Sequence, residues 1–452
     1  MKKITYATLL LLAAIFAIQT GCKKEEPVSG TSNVNELAMA RGMHANRINA
    51  DVAVKWMNAE VQIMRTITGI SNLAILRPFA YSGIALYESV VPGMPSYQTL
   101  VGQLNELPAM PDVDASLTYN WQSSANASMA KILKLVYPTM GPANIYTVDS
   151  LESALNAEYS ANSDAETITR SVAFGRGVAQ TVFDWSATDG NVHLNDPFPV
   201  PTGDGKWVPT PPAYNPAPLG PYWRNLRVMV TGSGNNAQPP APPAYSAVPG
   251  SEFYNMVKQV YDVTQPALPQ SRIDQAMYYR DIPGLTSAGH FLNIVKQVVI
   301  QENSSLEIAA AAYAISAITL YDASISTWET KFTYNLIRPV SYIQTVLNHP
   351  GWNPLLTTPG HPEYASAHAS LSSSIAVALA SVFGDNTAFT DRSYDYLGFP
   401  PRPFTSFTAF GEDAGNSRLY AGIHYQLSID RSLIQGRTVA NNIQNTLVLK
   451  KP

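Results

Sequence analysis

Residues 196–250 carry more proline than any helix interior or central strand tolerates. Pro197, Pro199, Pro201, Pro209, Pro211, Pro212, Pro216, Pro218 and Pro221 come first, then the pairs Pro239, Pro240 and Pro242, Pro243. Each proline removes a backbone donor, so the segment is predicted to be an extended, irregular excursion. Its aromatics Trp207, Tyr214, Tyr222 and Trp223 are expected to pin it onto its neighbours. It then serves either as the rim of a pocket or as a long linker.

On either side the pattern is helical. Residues 51–68, 73–90, 115–137, 142–160 and 164–185 place apolar side chains at three- and four-residue steps, as in Val54, Met57, Val61, Met64 and Ile67. Strand-like alternation is scarce. Asp164 stands where it caps the last of these helices, and Arg77, Glu88, Arg176 and Asp184 read as structural ion pairs or solvated positions. At 452 residues, 46% hydrophobic and 14% charged, the chain can bury a large core. The expected fold is all-α, two packed helical bundles (41–195 and 251–452) joined by the proline-rich insertion. The first bundle reads as scaffold.

The second carries the chemistry. Ser366 follows Pro359, Gly360 and Pro362 and precedes an apolar run that closes at Gly384, so it marks a helix start. There the free amides of Ala367 and His368, the helix dipole and the Ser366 hydroxyl form an anion cradle. His368 adds a proton donor. Upstream, Ser304-Ser305-Leu306-Glu307 reads as a capping box opening a long Ala-rich helix with Trp328 and Lys331 near its end. Arg338 lies two turns beyond Lys331, about 10 Å along the same face, with Pro339 stopping the helix. Two such cations repel unless an anion joins them. Downstream, Arg418 and His424 diverge by about 120° on an unbroken helix, so a shared ligand requires a break, which Gly422 supplies. Asp430 is placed as the cap of the final helix, running to about Leu449. His361, beside Pro362, reads by itself as a loop histidine.

Lys331, Arg338-Pro339, Ser366-Ala367-His368, Ser417-Arg418 and His424, in that order and spacing, resemble the three-part signature of a known superfamily. It joins vanadium-dependent haloperoxidases to type 2 phosphatidic acid phosphatases and bacterial class A acid phosphatases. The resemblance covers residues 285–450, and Asp322-Ala323, Trp328 to Lys331 and His361-Pro362-Glu363-Tyr364 resemble its bacterial haloperoxidase-like branch. It implies that Lys331, Arg338, Ser366, the Ala367 amide and Arg418 bind the oxygens of vanadate, or of phosphate in the same site. His424 is then the vanadium ligand, or in a phosphatase the nucleophile. His368 is the acid–base partner, and Lys331 polarises bound peroxide. The implied reaction is oxidation of halide by hydrogen peroxide to a hypohalous species, with Trp328, His290 and His361 in the halide pocket and His361 pointing to bromide or iodide. An acid phosphatase cleaving a phosphoester through a phosphohistidine is the runner-up, and a non-catalytic oxyanion-binding lipoprotein the third reading. Two departures stand out. Ala367 replaces the usual glycine, and Ser428 stands where the phosphatases place an aspartate that orients the histidine.

Lys2 and Lys3 precede the apolar residues 7–18, and the only cysteine, Cys22, follows. This resembles a bacterial lipoprotein signal, residues 1–22, followed by a polar tether over 23–40. A simple secretory cleavage is the alternative, but it leaves the position of the lone cysteine unexplained. No further apolar run is read as reaching membrane length. The formal charge of −4 and the lack of a basic block exclude a general nucleic-acid field. Lipidation places the protein on a bacterial envelope membrane, periplasmic or surface-exposed. Cys22→Ala is expected to move it from the membrane fraction to the soluble fraction on immunoblots, and an unchanged distribution refutes the anchor.

Overall fold

The computed structural model describes residues 43–265 and 267–451. Cys22 and its leader lie outside the described residues. The fold is all-α, as the apolar spacing predicts. Its helices are α1 (Asp51–Thr66), α2 (Leu76–Val90), α3 (Trp121–Val136), α4 (Pro142–Ser160), α5 (Ala165–Ser186), α6 (Glu252–Thr264), α7 (Gln270–Tyr278) and α8 (Ala288–Gln301). There follow α9 (Leu306–Tyr334), α10 (Pro339–Thr345), α11 (Ala367–Phe383), α12 (Phe407–Tyr420) and α13 (Gln426–Thr446). One short antiparallel pair, β1 (Phe389–Asp391) and β2 (Arg402–Phe404), interrupts them.

Helix α9 is the axis. It packs on α2 at one side and on α11 and α13 at the other, so one apolar core runs from Ala45 to Leu447. The described residues form one compact unit. Ser305, one residue later than the capping-box reading, caps α9 by accepting the Ile308 N–H. The helix is long and apolar enough to cross a membrane, which corrects the expectation of no second run of that length. Its most apolar stretch, however, is 94% buried inside the protein. At α13, Gly436 lets the helix touch α11, because an added Cβ would meet the Ser370 carbonyl oxygen at 1.9 Å.

Several boundaries differ from the sequence reading. Residues 115–120 are not helical, and Asn120 caps α3 by accepting the Ser123 N–H. Asn335, at φ +50°, ends α9, and Pro339 begins α10 instead of stopping a helix. Proline suits that position because its missing N–H would be unpaired there anyway. Asp430 lies inside α13, accepting from Gln426, and Tyr425 is the N-cap. Asp164 does cap α5, and Arg77 and Arg176 are paired with Asp189 and Glu152.

The proline-rich segment is pinned through its buried Trp207 and Trp223, whereas Tyr214 is exposed and pins nothing. Trp223 is buried and donates to Ser324 Oγ at 2.8 Å, while Met229 and Val230 donate their amides to the buried Asp322 at 2.7 and 3.0 Å. Leu219 N–H reaches the Gly360 carbonyl at 2.8 Å, tying the segment to the loop before α11.

Between α1, α2, α3 and α9 the buried Glu60 accepts from Ser82 Oγ (2.8 Å), Tyr137 OH (3.1 Å) and Tyr313 OH. Burial pushes its carboxyl up to about 8, against hydrogen bonds from Ser82 and Tyr137 that lower it. The folded protein therefore keeps a proton that the unfolded chain releases near its ordinary value of 4.5. This contribution is complete below that value and is lost as pH rises through about 8. Relative to Glu60→Gln, the wild type is expected to lose up to roughly 1.4 kcal/mol per pH unit across that window, read from urea melts. A difference that does not vary with pH would refute it.

Candidate active site

A cavity of about 1100 Å³ opens between the proline-rich segment and the C-terminal helices. Pro197, Phe198, Pro216 and Leu219 form one wall, so the excursion rims a pocket. Trp328, His361, Ala367, His368, Arg418 and His424 form its inner end. Lys331, Arg338 and Ser366 are fully buried in the wall behind.

Ser366 is the N-cap of α11, as predicted, but its hydroxyl makes no capping bond. Its N–H donates to Ser432 Oγ at 2.8 Å, while its Oγ is buried with no partner among the described residues. Ala367 keeps an ordinary negative φ, so replacing glycine here costs no strain and the amide is retained.

Arg338 arrives in extended backbone, as the residue before a proline should. Its Nε donates to the His361 carbonyl (2.8 Å) and Nη1 to the Ile423 carbonyl (2.9 Å). Nη1 also lies 3.2 Å from His424 Nε2, and Nη2 lies 3.1 Å from His361 Nδ1. Lys331 Nζ donates to the carbonyls of Pro362 (2.9 Å), Glu363 (3.3 Å) and Ala365. The two cations thus meet around the loop before Ser366 and not along one helix face, because Asn335 has already ended α9. Burial holds Lys331 well below its ordinary range, Arg338 adds to this, and Glu363 opposes it. Burial brings Arg338 down to about 10, with Glu363 opposing.

Arg418 sits in the last turn of α12. Gly422 follows at φ +76°, breaking the chain between Arg418 and His424 as the spacing requires. Arg418 Nη1 donates to the Tyr279 carbonyl (2.6 Å), Nη2 lies 3.4 Å from Asp281 Oδ2, and Nε is buried with no partner among the described residues. His368 Nε2 is 3.8 Å from Asp281 Oδ1. Burial and then Arg418 push His368 down to about 3, with Asp281 opposing. Burial, Arg338 and Lys331 likewise hold His424 well below its ordinary range, and burial, Lys331 and Arg338 do the same for His361. Burial and the neighbouring cations thus bias all three imidazoles toward the neutral form, in which one ring nitrogen keeps a lone pair.

Two acids escape the sequence reading. Glu363 Oε1 lies 2.8 Å from His424 Nδ1, and Ser428 Oγ donates to Glu363 Oε2 at 2.8 Å. A carboxylate thus stands behind His424 after all, touching the ring directly through Oε1 while Ser428 holds its other oxygen. Asp281 bridges His368 and Arg418. Both act across the fold from positions with no telling spacing; the lead-in His361-Pro362-Glu363-Tyr364 was the one available signal for the first. His290 is the opposite case. It is not among the cavity-lining residues, and its Nε2 pairs with buried Asp391 at 2.6 Å, its ring near those of Tyr279 and Tyr394. Trp328 and His361 stay in the pocket with ring centroids 5.3 Å apart.

The donor set fits a tetrahedral oxyanion such as vanadate. Three buried cations converge there, and Ser366 Oγ and Arg418 Nε are buried hydrogen-bonding atoms left without partners. An alanine at Gly422 would be strained at this φ, and its Cβ would sit 3.2 Å from Pro354 and Trp352. Gly422→Ala is expected to cost about 1–2 kcal/mol and to weaken orthovanadate binding by displacing Arg418 from His424. Thermal melts and equilibrium dialysis check both, and unchanged values would show that the break is not needed.

Comparisons with known proteins agree with this geometry. The family model for the VCPO second helical-bundle domain matches residues 311–448. No curated protein matches significantly. Among solved structures, a bacterial vanadium-dependent iodoperoxidase superposes with a TM-score of 0.81 at 31% identity, covering 90% of this chain and 98% of that one. The apo and holo forms of a bacterial vanadium-dependent chloroperoxidase share the fold, with TM-scores of 0.64 and 0.62 at 16% identity. Both cover 84% of this chain, and 95% and 94% of theirs. With the buried cations, the Ser366 cradle and the paired His424 in place, the chain belongs to the vanadium-dependent haloperoxidase superfamily.

Proposed function

We propose that this protein is a vanadate-dependent haloperoxidase that converts hydrogen peroxide, halide and a proton to hypohalous acid and water. The observation that carries the reading is the pair of partnerless buried donors, Ser366 Oγ and Arg418 Nε, in a wall holding three cations. When bound, vanadate supplies a Lewis-acid centre that activates peroxide without itself changing oxidation state. Arg338, Arg418, Lys331, Ser366 and the Ala367 amide bind and orient its oxygens, with the guanidinium forks matched to that geometry. His424 presents Nε2 as the ligand atom. His368, neutral and beside Asp281, takes and returns the proton at the peroxide. The similarity to an iodoperoxidase, with His361 beside Trp328, favours iodide or bromide as substrate.

One observation favours a second reading. Glu363 and His424 form the carboxylate–imidazole pair that a phosphohistidine route uses. The sign of the effect of vanadate separates the two. The protein reconstituted with orthovanadate is expected to oxidise iodide and bromide with peroxide, and vanadate should activate it. His424→Ala should abolish turnover, a loss of several orders of magnitude. Phosphomonoester hydrolysis that vanadate suppresses, with no halide oxidation, would establish the phosphatase instead.

A further inference from the structure

We propose that Glu363 is a positioning residue that holds His424 as the Nδ1–H tautomer, so that its Nε2 lone pair faces the oxyanion site. The inference rests on the reading of His424 as the ligand and identifies what makes it one. Two contacts fix the tautomer from opposite sides of the ring. Oε1 of Glu363 lies 2.8 Å from Nδ1, and a carboxylate only accepts, so the proton belongs on Nδ1. Nη1 of Arg338 lies 3.2 Å from Nε2, and a guanidinium only donates, so Nε2 carries the lone pair. Either contact alone would bias the ring, and together they leave one neutral form.

Glu363 is itself immobilised. Its side chain is fully buried and also accepts the Tyr425 N–H (3.0 Å) and the Ser428 hydroxyl (2.8 Å), so one carboxylate gathers three donors from residues 424–428. Its backbone is held as well, the N–H on the Leu336 carbonyl at 2.9 Å and the carbonyl on Lys331 Nζ at 3.3 Å. Residues that orient a ligand histidine in this way typically contribute 10–100-fold to metal affinity.

The test uses the full vanadate-free protein. With ¹⁵N-labelled histidine, two-bond ¹H–¹⁵N spectra should show His424, assigned through His424→Ala, as Nδ1–H, and an Nε2–H pattern would overturn the proposal. Equilibrium dialysis of Glu363→Gln should show orthovanadate bound roughly 10–100-fold more weakly than by wild type. Orthophosphate, which needs the cations but no bond to His424, should bind as tightly as before or tighter. Vanadate affinity equal to wild type, or an equal loss for both anions, would overturn the positioning role. The loss should also shrink in a His424→Ala background, since Glu363 acts through that ring. If wild type binds no vanadate, the haloperoxidase reading fails, and the tautomer spectrum still decides the present one.

Discussion

Three cations are buried among the described residues, Lys331 and Arg338 at 0% exposure and Arg418 at 1%, and the rest of the site follows from that. Taking a charge out of water costs several kcal/mol per ion unless it is paired and hydrogen-bonded. Here backbone carbonyls provide much of the compensation: Pro362, Glu363 and Ala365 for Lys331, His361 and Ile423 for Arg338, Tyr279 for Arg418. Carbonyls inside a helix are already engaged four residues on, so the loops 361–366, 421–425 and 279–281 have to be non-helical. The breaks at Asn335, Gly422 and Ser366 are thus the counterpart of the buried charge.

Glu363 and Asp281 add carboxyl groups to the compensation. Burial raises Glu363 to about 7, against the opposing pull of Arg338, Tyr425 N–H, Ser428 and Lys331. Asp281, more exposed, stands at the edge where His368 meets the cavity. The site therefore has a deep, cation-rich base and a rim with a carboxylate beside His368. The proline-rich segment closes the opposite wall. Having few backbone donors, it can line an apolar vestibule without needing strand partners, and Asp322 and Ser324 of α9 hold it in place.

Much of this was legible in the residues. The three- and four-residue steps located α1, α2, α4 and α5 to within a few residues, because amphipathic spacing reflects burial directly. Ser366 was legible as a helix start from the breakers before it, and Gly422 as a break from the angle between Arg418 and His424. The misreadings share one cause. Asp430 looked like a cap, Pro339 like a stop and His290 like a pocket residue because local chemistry permits those roles. Tertiary contacts chose otherwise: Tyr425 caps α13, Asn335 had already ended α9, and Asp391 draws His290 into an aromatic cluster. The missing aspartate at Ser428 misled in the same way, since the orienting carboxylate comes from 61 residues upstream.

By itself, then, the sequence determined which elements form, where they must break and which side chains carry charge or a lone pair, since all of these follow from short-range sterics, periodicity and residue chemistry. Only the tertiary structure decided which acid stands behind which histidine, which donors remain without partners and whether the prolines line a cavity. Those outcomes depend on distances between segments far apart in the chain, set by how α9, α11 and α13 pack, and residue spacing carries no record of them.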